Sequence, residues 1–371
     1  MQEVSGPGIR TDSEERHEQM AEPLPDLYVV PSSRPLFYTL ISILSSPYPA
    51  EIVYLADYAP IPEQVIARLH ALMPQTPILI RRDCEAAEEF ASLPGGLPAI
   101  LRRNWAPRPG AWFAGPAAHP PAWLRPAYRD AYIFTTGHFL PKTLRHRCQR
   151  IILREEGLGT YHSLPISFGK ALLRGLWGRS PRYHFMGEEP WVDRIEVAAP
   201  QSLPPALAAK ASRLDMTGLI QTLPERTRHD LARVFWSGSP ISRIGATAVI
   251  LTQPIDRPGL CSPREKEVLY ERMAQILRRR GYRVLIKRHP QEHARIDGQN
   301  GVPAFFPIEA WPCLSDERFA LAVSLCSSAL DRHGPLFACR SLQLVTPEAF
   351  ARGDLSGWDA RLETALTEGL S

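Results

Sequence analysis

Residues 26–58, DLYVVPSSRPLFYTLISILSSPYPAEIVYLADY, decide how the chain is to be read. An unbroken apolar run, DLYVV, stops on PSSRP, gives way to the helical-looking PLFYTLISIL, and is followed by a second apolar run, EIVYLADY (51–58). A short apolar run without polar alternation, bounded by Pro and Ser, reads as a strand covered on both faces, which a parallel sheet requires. The pattern repeats at once. EQVIARLHALM (63–73) places apolar residues at helical spacing, and TPILIRR (76–82) supplies a third strand. Strands alternating with helices at this pace predict a parallel, doubly wound α/β sheet.

Residues 94–128 interrupt the pattern: they are crowded with Pro, Gly and Trp, carry neither period, and read as a long surface insertion. DAYIFTTGH (130–138) and RIILREEG (150–157) resume it, and TAVILTQPI (247–255) opens a second unit with another buried strand. The next helix is marked at both ends. Ser262, Pro263 and Glu265 spell a capping box with proline at the first helical position, Val268, Leu269, Ile276 and Leu277 give an apolar face, and Gly281 stops it. YRVLIK (282–287) breaks at Arg288, His289 and Pro290; FALAVSLCSSAL (319–330) is a strand running into a helix; SLQLVT (341–346) and WDARLETALTEGL (358–370) complete the chain. The expected layout is a disordered tail at 1–24, a Rossmann-like domain at 25–240, a second at 247–346 and a helical segment at 347–371.

Composition excludes several classes. A net charge of +4 gives no global reason to expect nucleic acid as a partner. The six cysteines, Cys84, Cys148, Cys261, Cys313, Cys326 and Cys339, lack CxxC or metal-ligand spacing, so neither a zinc site nor a disulfide framework is indicated and a reducing compartment fits. The N-terminus is polar and of mixed charge, unlike a signal peptide. The longest apolar window, 35–49, is broken by Ser and Pro well short of the roughly 20 residues a membrane span needs. A soluble or peripheral, cytoplasmic protein is expected.

In open α/β sheets ligands bind beyond the carboxyl ends of the strands, so residues that follow strands carry the functional question. At the end of RIIL, Glu155 and Glu156 precede Gly157; alternate residues of an extended segment face opposite sides, so one carboxylate can act as general base while the other packs outward or orients it. A solvated strand end is the competing reading. After VLIK, the cluster Lys287, Arg288 and His289 offers donors for a phosphate, unless His289 is a core-edge residue whose Pro290 simply ends the strand. After FALAVSLC, Ser327 and Ser328 suit a helix N-cap and, equally, an anion at the first turn. Each motif is weak alone: His119-Pro120 is a second such dipeptide, with no strand before it.

A basic zone spans 142–184, with Lys142, Arg145, Arg147, Arg150, Arg154, Lys170, Arg174, Arg179 and Arg182 opposed only by Glu155 and Glu156, and with Phe168, Trp177, Tyr183 and Phe185 interleaved. It is a solvated face or a contact surface for a polyanion or an anionic membrane. On the second reading Lys170, Arg174, Arg179 and Arg182 bind a long anionic acceptor.

In order and context these pieces resemble the bacterial sialyltransferases of the two-domain nucleotide-sugar glycosyltransferase type, especially the capsular polysialyltransferase and lipooligosaccharide sialyltransferase families. Those carry a D/E-D/E-G motif in the first domain and an HP and a serine motif in the second, matched here by Glu155-Glu156-Gly157, His289-Pro290 within KRHP, and Ser327-Ser328 within CSSAL. LTQPI, with Gln253 and Pro254, leading through a capped helix into the KRHP strand, is also similar to the second domain. The resemblance implies two Rossmann-like domains facing a cleft, of the GT-B type. It further implies inverting, metal-independent transfer of sialic acid from CMP-sialic acid to a cell-surface glycan or polysialic acid-like acceptor, at the inner face of the cell membrane. Glu155 would then be the general base, His289 would stabilise the leaving phosphate, and Ser327 and Ser328 would hold that phosphate or the sugar carboxylate, beside Glu156, Gly157, Lys287, Arg288 and Pro290. No cofactor is implied, because the CMP-sugar is the substrate and cationic and N–H donors can meet its single phosphate. A CMP-Kdo transferase, another glycosyl- or glycerophosphate transferase, and a non-catalytic carbohydrate-binding relative would place similar demands on these motifs.

Overall fold

Asp26–Val30 (β1) is buried along its whole length and lies near the middle of a sheet. A computed structural model describes residues 23–92, 121–162, 184–236, 238, 246–256, 260–292 and 301–368. In it β1 pairs in parallel with Ala50–Leu55 (β2) on one side and Tyr128–Ile133 (β4) on the other. Ile78–Arg81 (β3) extends the sheet beyond β2, and Cys148–Arg154 (β5), Arg194–Val197 (β6) and Ala211–Arg213 (β7) extend it beyond β4. The seven strands are parallel, in the order β3-β2-β1-β4-β5-β6-β7. A second, four-stranded parallel sheet joins Thr247–Leu251 (β8), Arg283–Lys287 (β9), Leu321–Ser324 (β10) and Ser341–Gln343 (β11) in the order β11-β10-β8-β9. The mixed α/β architecture with two parallel sheets is compatible with Rossmann-like folds.

The helices are Ser33–Leu44 (α1), Glu63–Leu72 (α2), Asp83–Ser92 (α3), Phe139–Thr143 (α4), Met216–Thr222 (α5), Glu225–Phe235 (α6), Pro263–Arg279 (α7), Ser328–Phe337 (α8), Pro347–Ala351 (α9) and Trp358–Glu368 (α10). Strand side chains alternate between faces. Tyr28, Val30, Ile52 and Tyr54 therefore join one apolar cluster while Leu27, Val29, Val53 and Leu55 join another. The first cluster continues into the second sheet through Val249 and Leu251 of β8, whereas Ala248 and Ile250 face a third cluster with Tyr270, Leu277, Leu362 and Leu366. An aromatic seam ties the halves together: Phe305 lies 6.3 Å from Tyr54 and 6.2 Å from Phe235, and Trp236 lies 5.5 Å from Phe306 and 6.0 Å from Trp311, centroid to centroid.

The capping box of α7 forms as read: the Ser262 hydroxyl accepts from Glu265 N–H (3.2 Å) and the Glu265 carboxylate from Ser262 N–H (2.7 Å). Gly281 follows with φ +85°, the left-handed region open to glycine. Three readings shift. β2 stops at Leu55, short of Tyr58, and β5 starts at Cys148, two residues before Arg150. Leu124 is buried and Trp123 donates to Glu89 at 2.7 Å, so the end of the Pro/Trp-rich stretch packs onto α3 and Tyr128 already belongs to β4. β6, β7, α3, α4, α5 and α6 have no counterpart in the sequence reading. The expected N-terminal tail up to residue 22, residues 93–120 with His119 and Pro120, and residues 163–183 lie outside the described residues.

The basic zone is also opposed by more than two carboxylates. Arg150 grips Asp130 through two bonds (2.9 and 2.6 Å), and buried Arg154 bonds Glu196 (2.8 Å) and the Ser42 hydroxyl (2.7 Å) while lying 4.1 Å over the Tyr132 ring. Both arginines fasten neighbouring strands, because a strand residue's long side chain reaches the carboxylate on the adjacent strand. Among the described residues no helix is long and apolar enough to cross a membrane. All six cysteines are unpaired.

Candidate active site

The C-terminal ends of β5, β8 and β9, the loop after β10 and the start of α1 converge on one cleft of about 310 Å³. β5 delivers Glu156 and Gly157 to its wall; β9 delivers Lys287, Arg288, His289 and Pro290; the loop from β10 into α8 delivers Ser327 and Ser328. Residues as far apart in sequence as Ser32 and Ala329 are thus drawn together from both sheets, which is what parallel strands ending at a common rim accomplish. Lys170, Arg174, Arg179 and Arg182 lie outside the described residues.

Glu155 faces elsewhere. The pleat turns successive carboxylates apart, and Glu155 lines a neighbouring cavity of about 160 Å³ with Tyr38, Arg213 and His333. Its Oε2 accepts from the Tyr161 hydroxyl and from Ala198 N–H (2.9 Å), and its Oε1 lies 3.6 Å from Arg34 Nη2. Glu156, by contrast, lines the cleft itself. Burial pushes its pKa up to about 7 against the opposing pull of Arg34.

Arg34, at the start of α1, divides the two cavities and lines both. Its Nη1 donates to the Glu156 carbonyl (3.1 Å) and to Ser328 Oγ (2.9 Å), its Nε lies 3.1 Å from Glu309 Oε1, and its Nη2 lies 3.2 Å from His333 Nε2. It therefore ties the first sheet's helix to both acidic residues and to the serine loop of the second. Gly157 suits this close approach: a Cβ there would meet Ser328 Oγ at 3.1 Å, so the hydroxyl would have to give by a few tenths of an ångström, and Arg34 Nη1 at an ordinary 3.6 Å.

Ser327 occupies the N-cap position of α8 without capping it by its side chain; its N–H donates to Gln343 Oε1 at 2.8 Å. The ordinary capping explanation thus fails for this hydroxyl. Lys287 is buried, and desolvation lowers its pKa to about 8 although Glu309 and Glu292 pull the other way. Its Nζ donates to the Arg288 and Ala304 carbonyls (2.8 and 2.9 Å). His289 Nδ1 lies 3.3 Å from Gln291 N as the acceptor of its N–H, a geometry that favours the hydrogen on Nε2.

Sequence reading missed Arg34 and Glu309. Arg34 follows β1 in the connection that opens where the strand order reverses, between β1 and β4, a place that only the assembled sheet defines. Glu309 sits in a short 3-10 turn, Ile308–Cys313, which no periodicity marks.

A carboxylate with a raised pKa and a cluster of N–H and cationic donors line one cleft, the groups required for transfer to a nucleophile from a donor with an anionic leaving group. The family model for alpha-2,8-polysialyltransferases (POLYST) matches residues 147–346, over half of the chain. The chain belongs to that family, which makes it a sialyltransferase in class, a glycosyltransferase that takes a nucleotide-sugar donor and a glycan acceptor. No curated protein and no solved structure matched the chain significantly.

Proposed function

We propose that the protein is an inverting sialyltransferase of GT-B arrangement that moves sialic acid from CMP-sialic acid to an anionic, polysialic acid-like glycan. The observation that carries this reading is the convergence of the carboxylate, HP and serine motifs on one cleft, with the Glu156 carboxyl raised to about 7.

In this reading Glu156, rather than Glu155, takes the proton from the acceptor hydroxyl. A general base works best with a pKa near the operating pH, and Glu156 is the member of the pair that faces the cleft. The freed oxygen attacks the anomeric carbon from the side opposite the departing CMP, and the configuration inverts. Negative charge builds on the single phosphate as it leaves. His289 Nε2–H, Arg288, Lys287 and the Ser327 and Ser328 hydroxyls stabilise it there, and stabilisation of developing charge by preorganised donors is the strongest lever such a site has. Glu155 serves as the anchor for Arg34, which in turn holds Ser328. The donors that meet the phosphate are protein groups, so no metal enters the reaction.

The six unpaired cysteines support a cytoplasmic enzyme that meets its acceptor at the inner face of the cell membrane. The acceptor assignment for Lys170, Arg174, Arg179 and Arg182 rests on their charge alone.

A thermal-shift titration tests the donor. CMP should raise the unfolding temperature more than UMP or GMP at equal concentration, since selective binding to the native state adds apparent stability. Equal shifts for the three nucleotides would contradict the assignment. Turnover should be unchanged by EDTA, and its loss, restored by a divalent cation, would remove the metal-free step.

A further inference from the structure

Behind the His289-Pro290 turn lies a buried ion pair that the reaction described above does not use. Lys266 projects from the inner face of α7 with no solvent exposure; its Nζ lies 3.0 Å from Glu292 Oε1 and 2.8 Å from Asp256 Oδ1. Glu292 is buried as well. Its second oxygen, Oε2, accepts from the Thr252 hydroxyl and from His289 N–H (3.2 Å), and that N–H also lies 3.1 Å from Thr252 Oγ1. Within the same turn Glu292 N–H donates to the His289 carbonyl (3.0 Å), and Gln291 N–H donates to His289 Nδ1 (3.3 Å).

A buried ion pair is a poor source of net stability, because desolvation of the two charges offsets most of their attraction. What it supplies here is placement. Glu292 is held by Lys266 from α7 and by Thr252 from the end of β8, so the backbone of His289 is pinned at a fixed height above β9. The turn that follows aims Gln291 N–H at one ring nitrogen. An imidazole nitrogen that accepts an N–H bond carries no hydrogen of its own, so the pinned turn selects the tautomer.

We propose that Glu292, locked by Lys266 and Thr252, is a positioning residue that fixes His289 in its Nε2–H tautomer and so presents the ring to the cleft as a hydrogen-bond donor. The functional consequence rests on the proposed role of His289 at the donor phosphate; the tautomer does not.

The test uses the full chain labelled with ¹⁵N in its histidine rings, with His289→Asn assigning the signal. The wild type should give a non-protonated Nδ1 and a protonated Nε2 for His289 at neutral pH. Glu292→Gln should give a mixture of tautomers and weaken CMP binding about tenfold, equivalent to about 1.4 kcal/mol. Glu292→Asp should restore most of both. Thr252→Val removes a different arm of the same clamp, should move the signal in the same direction, and serves if Glu292→Gln does not fold. A wild-type ring protonated on Nδ1, or an unchanged Nε2–H ring in both clamp variants, would overturn the proposal, whatever happens to the unfolding temperature. If the tautomer responds as stated but neither these variants nor His289→Asn changes CMP affinity, the positioning stands and the assignment of His289 to the donor phosphate fails.

Discussion

Adjacent carboxylates at the end of β5 are separated chemically by one step of the pleat. Glu156 meets the cleft and Glu155 meets Tyr161, Ala198 N–H and Arg34. The two shifted groups in the cleft set the expected pH dependence. Glu156 must be ionised to accept a proton, so kcat/KM should fall as pH drops below about 7. Lys287 must be protonated to attract a phosphate, so kcat/KM should fall again as pH rises above about 8. The expected profile is a bell, and Lys287→Arg should move its alkaline limb upward, because a guanidinium stays charged. An unmoved alkaline limb would exclude Lys287 as its source. At Gly157 the same geometry predicts that alanine, whose Cβ would lie 3.1 Å from Ser328 Oγ, pushes that hydroxyl aside and weakens CMP binding, measurable by calorimetry.

Helix α7 shows which elements were legible in the sequence. Its capping box and terminal glycine are local signals that appear where they were read, and of the apolar face Ile276 and Leu277 are buried and Leu269 packs against the core, whereas Val268 faces solvent and Tyr270, Met273 and Ala274 take its place. Gly281→Ala should cost about 1–2 kcal/mol through left-handed strain while leaving kcat unchanged, since a Cβ there meets nothing within 4 Å. Unaltered stability in denaturant titration would count against that account. The buried strands β1, β2, β8 and β10 were equally legible, because burial on both faces leaves a continuous apolar run. β6 and β7 were not, for strands as short as RIEV and ASR carry no period. In the site, the three motifs after strands were visible, whereas Arg34 depends on partners 122 to 299 residues away and becomes recognisable only once the sheets are assembled. The choice between Glu155 and Glu156 likewise turns on the pleat of β5 and on what packs beside it, neither of which two identical side chains in sequence disclose.

Over the whole molecule, the cleft lies where the two sheets meet, so its geometry depends on the aromatic seam that joins them. Trp311, fully buried in that seam, belongs to the same 3-10 turn as Glu309, which holds Arg34. Trp311→Ala should therefore cost about 3–5 kcal/mol in stability and weaken CMP binding together. Loss of stability with full CMP affinity would show that the seam and the cleft are independent. The central claim is that one carboxylate of the pair, placed in the cleft by the fold, performs the proton transfer. Its most direct measurement is single-turnover transfer from CMP-sialic acid to a polysialic acid primer by Glu156→Gln and Glu155→Gln, each compared with wild type at saturating donor. The account predicts a loss of about 100-fold or more for Glu156→Gln with CMP affinity retained, and a smaller loss for Glu155→Gln. Full activity in Glu156→Gln with the loss confined to Glu155→Gln would contradict it.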